Sequence, residues 1–258
     1  MPARCFTCPD KTEVPILECL QNCRAPQRCL FLPTLRQISA SLERNIQGFS
    51  LTEMLNGTRE MYLKKTKDYA VDPMKRLYAI QGSAAHLLHQ GHSEGNILSE
   101  ERLYGDHCSG QIDCYGSILD SDTATLGDFK VTSSYKIMRA LGFQKIKTAT
   151  GEFYKSGPRK GQEKFVSVIR DGAVRHILDW AIQLNYYRVL LEQQGFPVNR
   201  LVVQAFCRDQ GLQIATSRGI EQQAYFIDVH PISDRWLNRF VKAKANKLQY
   251  ALDNNVLP

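Results

Sequence analysis

Residues 110–130, GQIDCYGSILDSDTATLGDFK, hold the pattern from which the central sheet of this chain is predicted. They lie within a series of short segments, beginning near residue 98, that are rich in β-branched and aromatic residues and separated by polar turns. Such segments are typical of strands, because branched and aromatic side chains fit a pleated, half-buried surface. We therefore predict three adjacent strands, with the sequences ILSEERLY, SGQIDCYGSIL and ATLGDFKVT.

Two helices are predicted upstream of these strands. Ser50-Leu-Thr-Glu53 has the form of a capping box, in which two side chains satisfy amide groups of a first helical turn, and it opens a helix to about Lys65. Asp72-Pro73 opens a second helix, which runs to Gly91, because proline is favoured in the first turn.

The segments downstream alternate between helix and strand. A helix at about 133–141 is expected to end at Gly142, since glycine readily adopts the left-handed conformation found after helices. The later elements are a long helix over residues 173–194, the strands LVVQAFCRD and AYFIDVHP, and a basic helix from Ser233. This alternation predicts an α/β fold, with a central mixed β-sheet flanked by helices.

The composition is that of a globular protein with a basic excess. The 258 residues, 43% of them hydrophobic, suffice for one large domain plus a small appendage. The formal net charge of +7 favours a polyanionic partner such as DNA or RNA, although solvated lysine faces give the same excess. No apolar run approaches the roughly 20 residues of a membrane helix, and the start MPARCFTCPD lacks the apolar segment of a secretory signal. We therefore expect a cytoplasmic protein without membrane contact.

The first 29 residues contain five of the eight cysteines, which are Cys5, Cys8, Cys19, Cys23 and Cys29. Because large apolar residues are few there, we expect this stretch to lack a core of its own and to depend on a metal ion held by four of the five thiolates. Zinc is the first choice, an iron–sulfur cluster also takes four thiolates, and reduced cysteines without metal are the other alternative. The predicted organisation is a Cys-rich metal-binding module at 1–35, which could also dock a protein partner, and an α/β domain at 36–258.

Two acidic residues and a lysine form the strongest chemical pattern. Asp113 and Asp128 lie in apolar contexts on consecutive predicted strands, where a carboxylate is costly unless a cation or another partner satisfies it. Lys130 follows Asp128 by two residues, so both side chains project from one face of a strand. Phosphodiester hydrolysis requires a hard cation on such carboxylates, to neutralise phosphoryl charge and to lower the pKa of an attacking water. A cross-strand or solvated ion pair is the alternative interpretation.

Four motifs, in order, resemble those of the PD-(D/E)XK nucleases, specifically the RecB-like branch that includes CRISPR-associated exonucleases and the nuclease domains of recombination helicases. Gly82-Ser-Ala-Ala-His86 is similar to the G-x-x-x-H helix, Gly110-Gln-Ile-Asp113 to the G-x-I-D strand, Asp128-Phe-Lys130 to the acid-x-Lys strand, and Gln183-Leu-Asn-Tyr-Tyr187 to the Q-x-x-x-Y helix. Residues 49–63 also resemble the opening helix of the branch. The glycine of the first motif indicates close backbone packing next to the histidine.

The resemblance spans about residues 49–210 and implies a restriction-endonuclease-like core with a Mg²⁺- or Mn²⁺-dependent deoxyribonuclease activity, exonuclease rather than endonuclease. The implied metal ligands are the Phe129 carbonyl and the side chains of His86, Asp113 and Asp128. Lys130 is then expected to orient or activate the water, while Gln183 and Tyr187, one helical turn apart, brace the site or contact a substrate phosphate. Iron–sulfur members of the branch place three cysteines after these motifs, whereas only Cys207 lies late here, which favours zinc at the N-terminus.

Residues 145–164 are rich in basic side chains and predict a mobile loop that grips the phosphate backbone of single- or double-stranded DNA, with a merely solvated loop as the alternative. The basic residues are Lys145, Lys147, Lys155, Arg159, Lys160 and Lys164. The alternative function for the whole chain is a non-catalytic nucleic-acid-binding or adaptor protein that retains a nuclease fold.

Overall fold

The N-terminal part of the chain folds around a small apolar cluster. In the computed structural model, which describes residues 3–43, 48–90, 95–120 and 122–258, strands β1 (Cys5–Thr7) and β2 (Glu13–Pro15) form an antiparallel hairpin. Helices α1 (Ile16–Gln21) and α2 (Leu32–Leu42) pack against it. The buried members of the cluster are Phe6, Val14, Ile16, Cys19, Leu35 and Ile38. The prediction that this stretch lacks a core is therefore wrong, because a hairpin and two helices bring scattered apolar residues together.

The opening helices follow the capping pattern but not the predicted length. The Ser50–Glu53 capping box is confirmed, and it begins α3 (Leu51–Leu55). A second helix, α4 (Thr58–Thr66), follows after Asn56 and Gly57, whose low helix propensity accounts for the interruption.

A short strand and a capped helix come next. Strand β3 (Ala70–Val71) pairs in parallel with β1, so the N-terminal sheet draws on residues well beyond position 35. Asp72 caps a 3₁₀ turn at Pro73–Arg76 that continues into α5 (Leu77–Gln90). The predicted end of this helix, Gly91, lies outside the described residues.

The predicted strands upstream of residue 120 are each broken in two. The first becomes β4 (Leu98–Ser99) and β5 (Arg102–Tyr104), and the second becomes β6 (Ser109–Gln111) and β7 (Cys114–Gly116). Only the third forms one strand, β8 (Thr125–Thr132). The prediction of three adjacent strands is therefore wrong in detail. Asp113 lies in the bend between β6 and β7, and Glu100, with φ +57°, interrupts β4 and β5.

Residues 133–193 form two helices with a β-hairpin between them, where a loop was predicted. Helix α6 (Ser134–Leu141) is capped by Ser133 and ends at Gly142 with φ +79°, as predicted. Strands β9 (Gln144–Phe153) and β10 (Glu163–Arg170) then form an antiparallel hairpin, so the predicted mobile basic loop is wrong apart from residues 154–162. The Thr, Ile and Val residues between the charges support strand pairing. Helix α7 (Leu178–Gln193) follows.

The last elements complete a mixed sheet. They are β11 (Arg200–Cys207), the short α8 (Gln213–Thr216), β12 (Ala224–Asp228) and α9 (Asp234–Asp253). The central sheet has the order β12-β11-β8-β7-β4, in which β8 and β11 are parallel and the other neighbours are antiparallel. Strands β5 and β6 form a separate pair.

Helices cover both faces of the central sheet, which confirms the predicted α/β class. On one face, Leu126, Val203 and Ala205 are buried in the main core with residues of α6, α7 and α9. On the other face, the ring of Phe129 stacks on His89 of α5 with 4.0 Å between ring centroids. No helix of the described residues is long and apolar enough to cross a membrane.

Candidate active site

Strand β8 places Asp128 and Lys130 on the same face of the sheet, as their spacing predicts. The Lys130 Nζ lies 2.8 Å from Oδ1 of Asp128, to which it donates, and 2.7 Å from Oδ2. The contact with Oδ2 is an ion pair and not a hydrogen bond, and Asp128 is only 2% exposed. Burial acts to lower the pKa of Lys130, but the neighbouring carboxylates outweigh it and raise the pKa, so the lysine is charged at neutral pH.

Asp113 approaches this pair from the bend between β6 and β7. Its Oδ2 accepts the backbone N–H of Phe129 at 2.6 Å, and its Oδ1 lies 3.5 Å from Nδ1 of His86. Burial, together with the charge of Asp128, raises the pKa of Asp113 to about 7, although His86 and Lys130 act in the opposite direction. A carboxyl held in this way favours a nearby positive charge.

Helix α5 supplies His86, and the structure adds a partner that sequence reasoning missed. The His86 Nδ1 lies 2.9 Å from Oε1 of Glu100. The ligand atoms of His86, Glu100 and Asp113 all lie within 4.8 Å of one another, and no other such set occurs among the residues that the structure describes. The expected close packing at Gly82 is wrong, since a Cβ there would meet no atom within 4 Å.

Helix α7 places Gln183 and Tyr187 at the same cleft. The Gln183 Nε2 donates to the Tyr187 hydroxyl over 3.2 Å, and burial raises the pKa of Tyr187, which keeps the phenol protonated. The Tyr187 ring lies directly against the backbone of Gly110, where a Cβ would come within 2.1 Å of Cε1. The glycine three residues before Asp113 is therefore required by the tyrosine ring.

One open cleft of about 760 Å³ collects these side chains. His86, Asp113, Lys130, Gln183 and Tyr187 all line it, and so does Glu100. Its outer wall includes residues of α2 and the polar side chains Ser50, Lys65 and Arg102. The cleft therefore brings together residues that are spread over more than a hundred positions of the sequence.

The six basic residues of the predicted loop do not line this cleft. Three lie on the strands of the β9–β10 hairpin and three in the connection between them. Lys147, Arg159 and the aromatic Phe165 surround a separate, smaller depression, while Lys164 pairs with Glu152 over 3.0 Å. The hairpin presents basic and aromatic side chains together, which is the mixture that backbone-tracking nucleic-acid surfaces use.

All eight cysteines lie within the described residues, and none forms a disulfide. Cys8, Cys19 and Cys29 belong to the N-terminal apolar cluster. Burial raises the pKa of Cys19, and the nearby Cys8, Cys23 and Cys29 raise it further. Cys5, by contrast, precedes the buried Phe6 on β1, so their side chains point to opposite faces of the strand. Its strand partners are Pro15 and Ala70. The five cysteines contain no set of three sulfurs within 4.8 Å of one another.

Comparisons with known proteins give no family for this chain. No protein family matches the sequence, and no curated protein is similar to it. Among solved structures, that of the protein SSO0001 is similar over 82% of this chain and 82% of its own, with a TM-score of 0.40 and 12% sequence identity. A likeness at that level carries no argument about function.

Proposed function

We propose that the protein is a divalent-cation-dependent nuclease of the RecB-like PD-(D/E)XK type that hydrolyses DNA phosphodiester bonds. The observation that carries this proposal is the convergence of His86, Asp113 and Lys130 in one cleft, with the buried Asp128 bound to Lys130. These residues come from one helix, one strand and one bend, so the tertiary fold brings them together and not their proximity in sequence.

The architecture supports the same proposal. A restriction-endonuclease-like core has a central mixed sheet flanked by helices, and the five-stranded sheet of this chain is mixed and covered on both faces. The acid-x-Lys strand, β8, is the middle strand of that sheet. Asp128 and Lys130 therefore lie on a rigid element, which suits a site that must hold its geometry.

The donor set fits Mg²⁺ or Mn²⁺. Asp113 and His86 offer oxygen and imidazole nitrogen ligands, and Asp128, which the family resemblance adds to them, is ion-paired with Lys130. The Phe129 carbonyl is the fourth ligand that the family resemblance implies. A bound ion supplies positive charge to the phosphoryl oxygens and a lower pKa to the attacking water.

The protein side chains have separate tasks in this proposal. Lys130 is held by Asp128 and stays protonated, so it donates hydrogen bonds to a water or phosphate oxygen and does not accept a proton. Tyr187 accepts a hydrogen bond from Gln183, so its own hydroxyl hydrogen can be donated to a phosphate oxygen. Both groups position the scissile phosphate.

A cleavage assay with conservative variants tests the proposal. Asp113→Asn and Asp128→Asn keep the side-chain volumes, and Lys130→Gln replaces the ammonium with a shorter neutral amide. Each should reduce Mg²⁺- or Mn²⁺-dependent cleavage by on the order of 10²-fold or more. The exposed residues Asp171 and Lys75 give matched controls, as Asp171→Asn and Lys75→Gln, which should cleave like the wild type. Cleavage by all three site variants at the wild-type rate would sink the proposal.

The choice of substrates separates the remaining alternatives. End-labelled linear DNA, single-stranded DNA and covalently closed circles distinguish an exonuclease, which spares closed circles, from an endonuclease. DNA binding without any cleavage, unchanged in the three site variants, would instead support the adaptor function.

We also infer a structural metal ion at the N-terminal cysteines, with zinc as the first candidate. The grouping of Cys8, Cys19, Cys23 and Cys29 supports four thiolate ligands that a bound ion would draw together. Purified protein that is colourless and releases one zinc on denaturation fits this inference, whereas visible absorption would identify an iron–sulfur cluster.

A further inference from the structure

Glu100 has a backbone conformation that its side chain does not favour. Its φ of +57° lies in the left-handed region, which non-glycine residues seldom adopt outside functional or tightly constrained positions. Neighbouring groups hold it there: its N–H donates to the carbonyl of Asp113 over 3.2 Å, and Nε2 of Gln111 donates to its carbonyl over 3.0 Å.

Hydrogen bonds also fix the position of the Glu100 carboxylate. Gln111 Nε2 also donates to Oε2 over 2.9 Å, and Arg102 fixes the other end of the same amide by donating to Gln111 Oε1 over 2.9 Å. The remaining oxygen, Oε1, faces His86 Nδ1 at 2.9 Å. The side chain is therefore directed into the cleft by a chain of hydrogen bonds.

The charges around this point do not balance. Two carboxylates, Glu100 and Asp113, face the single imidazole of His86. Of the two lysines that line the cleft, Lys130 is engaged with Asp128 and Lys65 with Glu53, and Arg102 donates to Ser109 and Gln111. When both carboxyl groups are ionised, even a protonated His86 leaves one negative charge uncompensated.

We propose that Glu100 is a ligand of a divalent cation, together with His86 and Asp113. The three ligand atoms already lie within 4.8 Å of one another, and one imidazole with two carboxylates suits Mn²⁺ well. The proposed site differs from the one that the family resemblance implies. Glu100 is a ligand in the proposed site, whereas Asp128 is bound to Lys130 and is not a ligand. The proposal rests on the proposed function for the presence of a cation in the cleft, but it concerns binding and not cleavage.

Mn²⁺ titration of the full-length protein without DNA tests the site, with free Mn²⁺ followed by electron paramagnetic resonance. Glu100→Gln keeps the shape of the side chain but removes its charge, and should weaken Mn²⁺ binding at least 10-fold. Glu101→Gln changes the exposed neighbour, whose only described contact is through its main-chain carbonyl, and should bind like the wild type. Wild-type affinity in Glu100→Gln would overturn the proposal.

A second variant separates ligation from folding. Glu100→Gly removes the carboxylate and also suits the left-handed backbone, so it should melt no lower than the wild type and yet bind Mn²⁺ as weakly as Glu100→Gln. Asp128→Asn should weaken Mn²⁺ binding less than Glu100→Gln, and a larger loss in Asp128→Asn would overturn the three-ligand site.

The two proposals can fail separately. Mn²⁺ binding that depends on Glu100 in a protein without any cleavage activity leaves the cation site standing and removes the nuclease. Cleavage that depends on Asp128 and Lys130, with Mn²⁺ binding unaffected by Glu100→Gln, leaves the nuclease standing and removes Glu100 as a ligand.

Discussion

Replacing Gly110 by alanine should destabilise the protein through the ring of Tyr187. The added Cβ would lie 2.1 Å from Cε1 and 2.7 Å from Cδ1, where ordinary carbon contacts are about 3.5–4.0 Å. The ring is only 3% exposed and its hydroxyl is bound by Gln183, so it cannot swing away cheaply. Overpacking of this kind costs about 1–3 kcal/mol, or roughly 2–12 °C in Tm for a chain of this size.

The chain contains a matched glycine for which the expected sign is reversed. Gly82 lies inside α5, and a Cβ there would meet no atom within 4 Å. Gly82→Ala should therefore stabilise the protein by about 0.5–1 kcal/mol, because alanine is the better helix former. Thermal unfolding of both variants, followed by circular dichroism at one protein concentration and in EDTA, measures the two effects under identical conditions.

A double-mutant cycle assigns the cost of Gly110→Ala to its cause. If the tyrosine ring is responsible, the destabilisation should largely disappear in a Tyr187→Ala background, where the ring is absent. A clash with the ring is refuted if Gly110→Ala melts like the wild type, or if the loss of stability is the same with and without the ring.

Three further predictions concern charge and metal. In EDTA, the contribution of Asp113 to stability should fall as the pH rises from about 4 to about 7, because folded Asp113, with its pKa raised to about 7, keeps a proton that the unfolded chain releases. Urea titrations of the wild type and of Asp113→Asn should therefore differ in the pH dependence of the unfolding free energy over this range, and identical dependences would contradict the assignment. Lys147→Ala and Arg159→Ala should each weaken DNA binding and lower the slope of log affinity against log salt by about 0.9, whereas unchanged slopes would place the DNA elsewhere. Cys5→Ser should retain the N-terminal metal and Cys19→Ser should lose it, as measured by metal content, and equal loss in both would contradict the choice of four ligands.

Local rules predicted the parts of the fold that depend on neighbouring residues. The Ser50–Glu53 capping box and the left-handed Gly142 follow from the hydrogen-bonding needs of helix ends. The shared face of Asp128 and Lys130 follows from the two-residue period of a strand. These features need no knowledge of the rest of the chain.

Other features depended on tertiary contacts that the sequence does not display. The β9–β10 hairpin was predicted as a loop because its charges dominate the pattern, although its Ile, Thr and Val residues pair across strands. The N-terminal cluster escaped prediction because Phe6 and Ile38 are distant in sequence and show no common period. Glu100 was not predicted as a site residue, because no sequence pattern indicates a glutamate with left-handed backbone. Tertiary contacts impose this conformation.

The breaks in the predicted strands have a common cause at the cleft. Ser99 pairs with Cys114 in the central sheet, and Arg102 pairs with Gln111 in the separate two-stranded sheet. Both segments therefore leave the central sheet at the same level, one at Glu100 and the other at Asp113. A hydrogen bond from the Glu100 N–H to the Asp113 carbonyl joins the two breaks. A continuous pair of strands would keep both residues in a regular ladder, whereas the paired break lets the two carboxylates meet His86. We therefore expect the left-handed backbone of Glu100 to be the cost of assembling this acidic site, which is why Glu100→Gly should relieve the strain while weakening the binding of the cation.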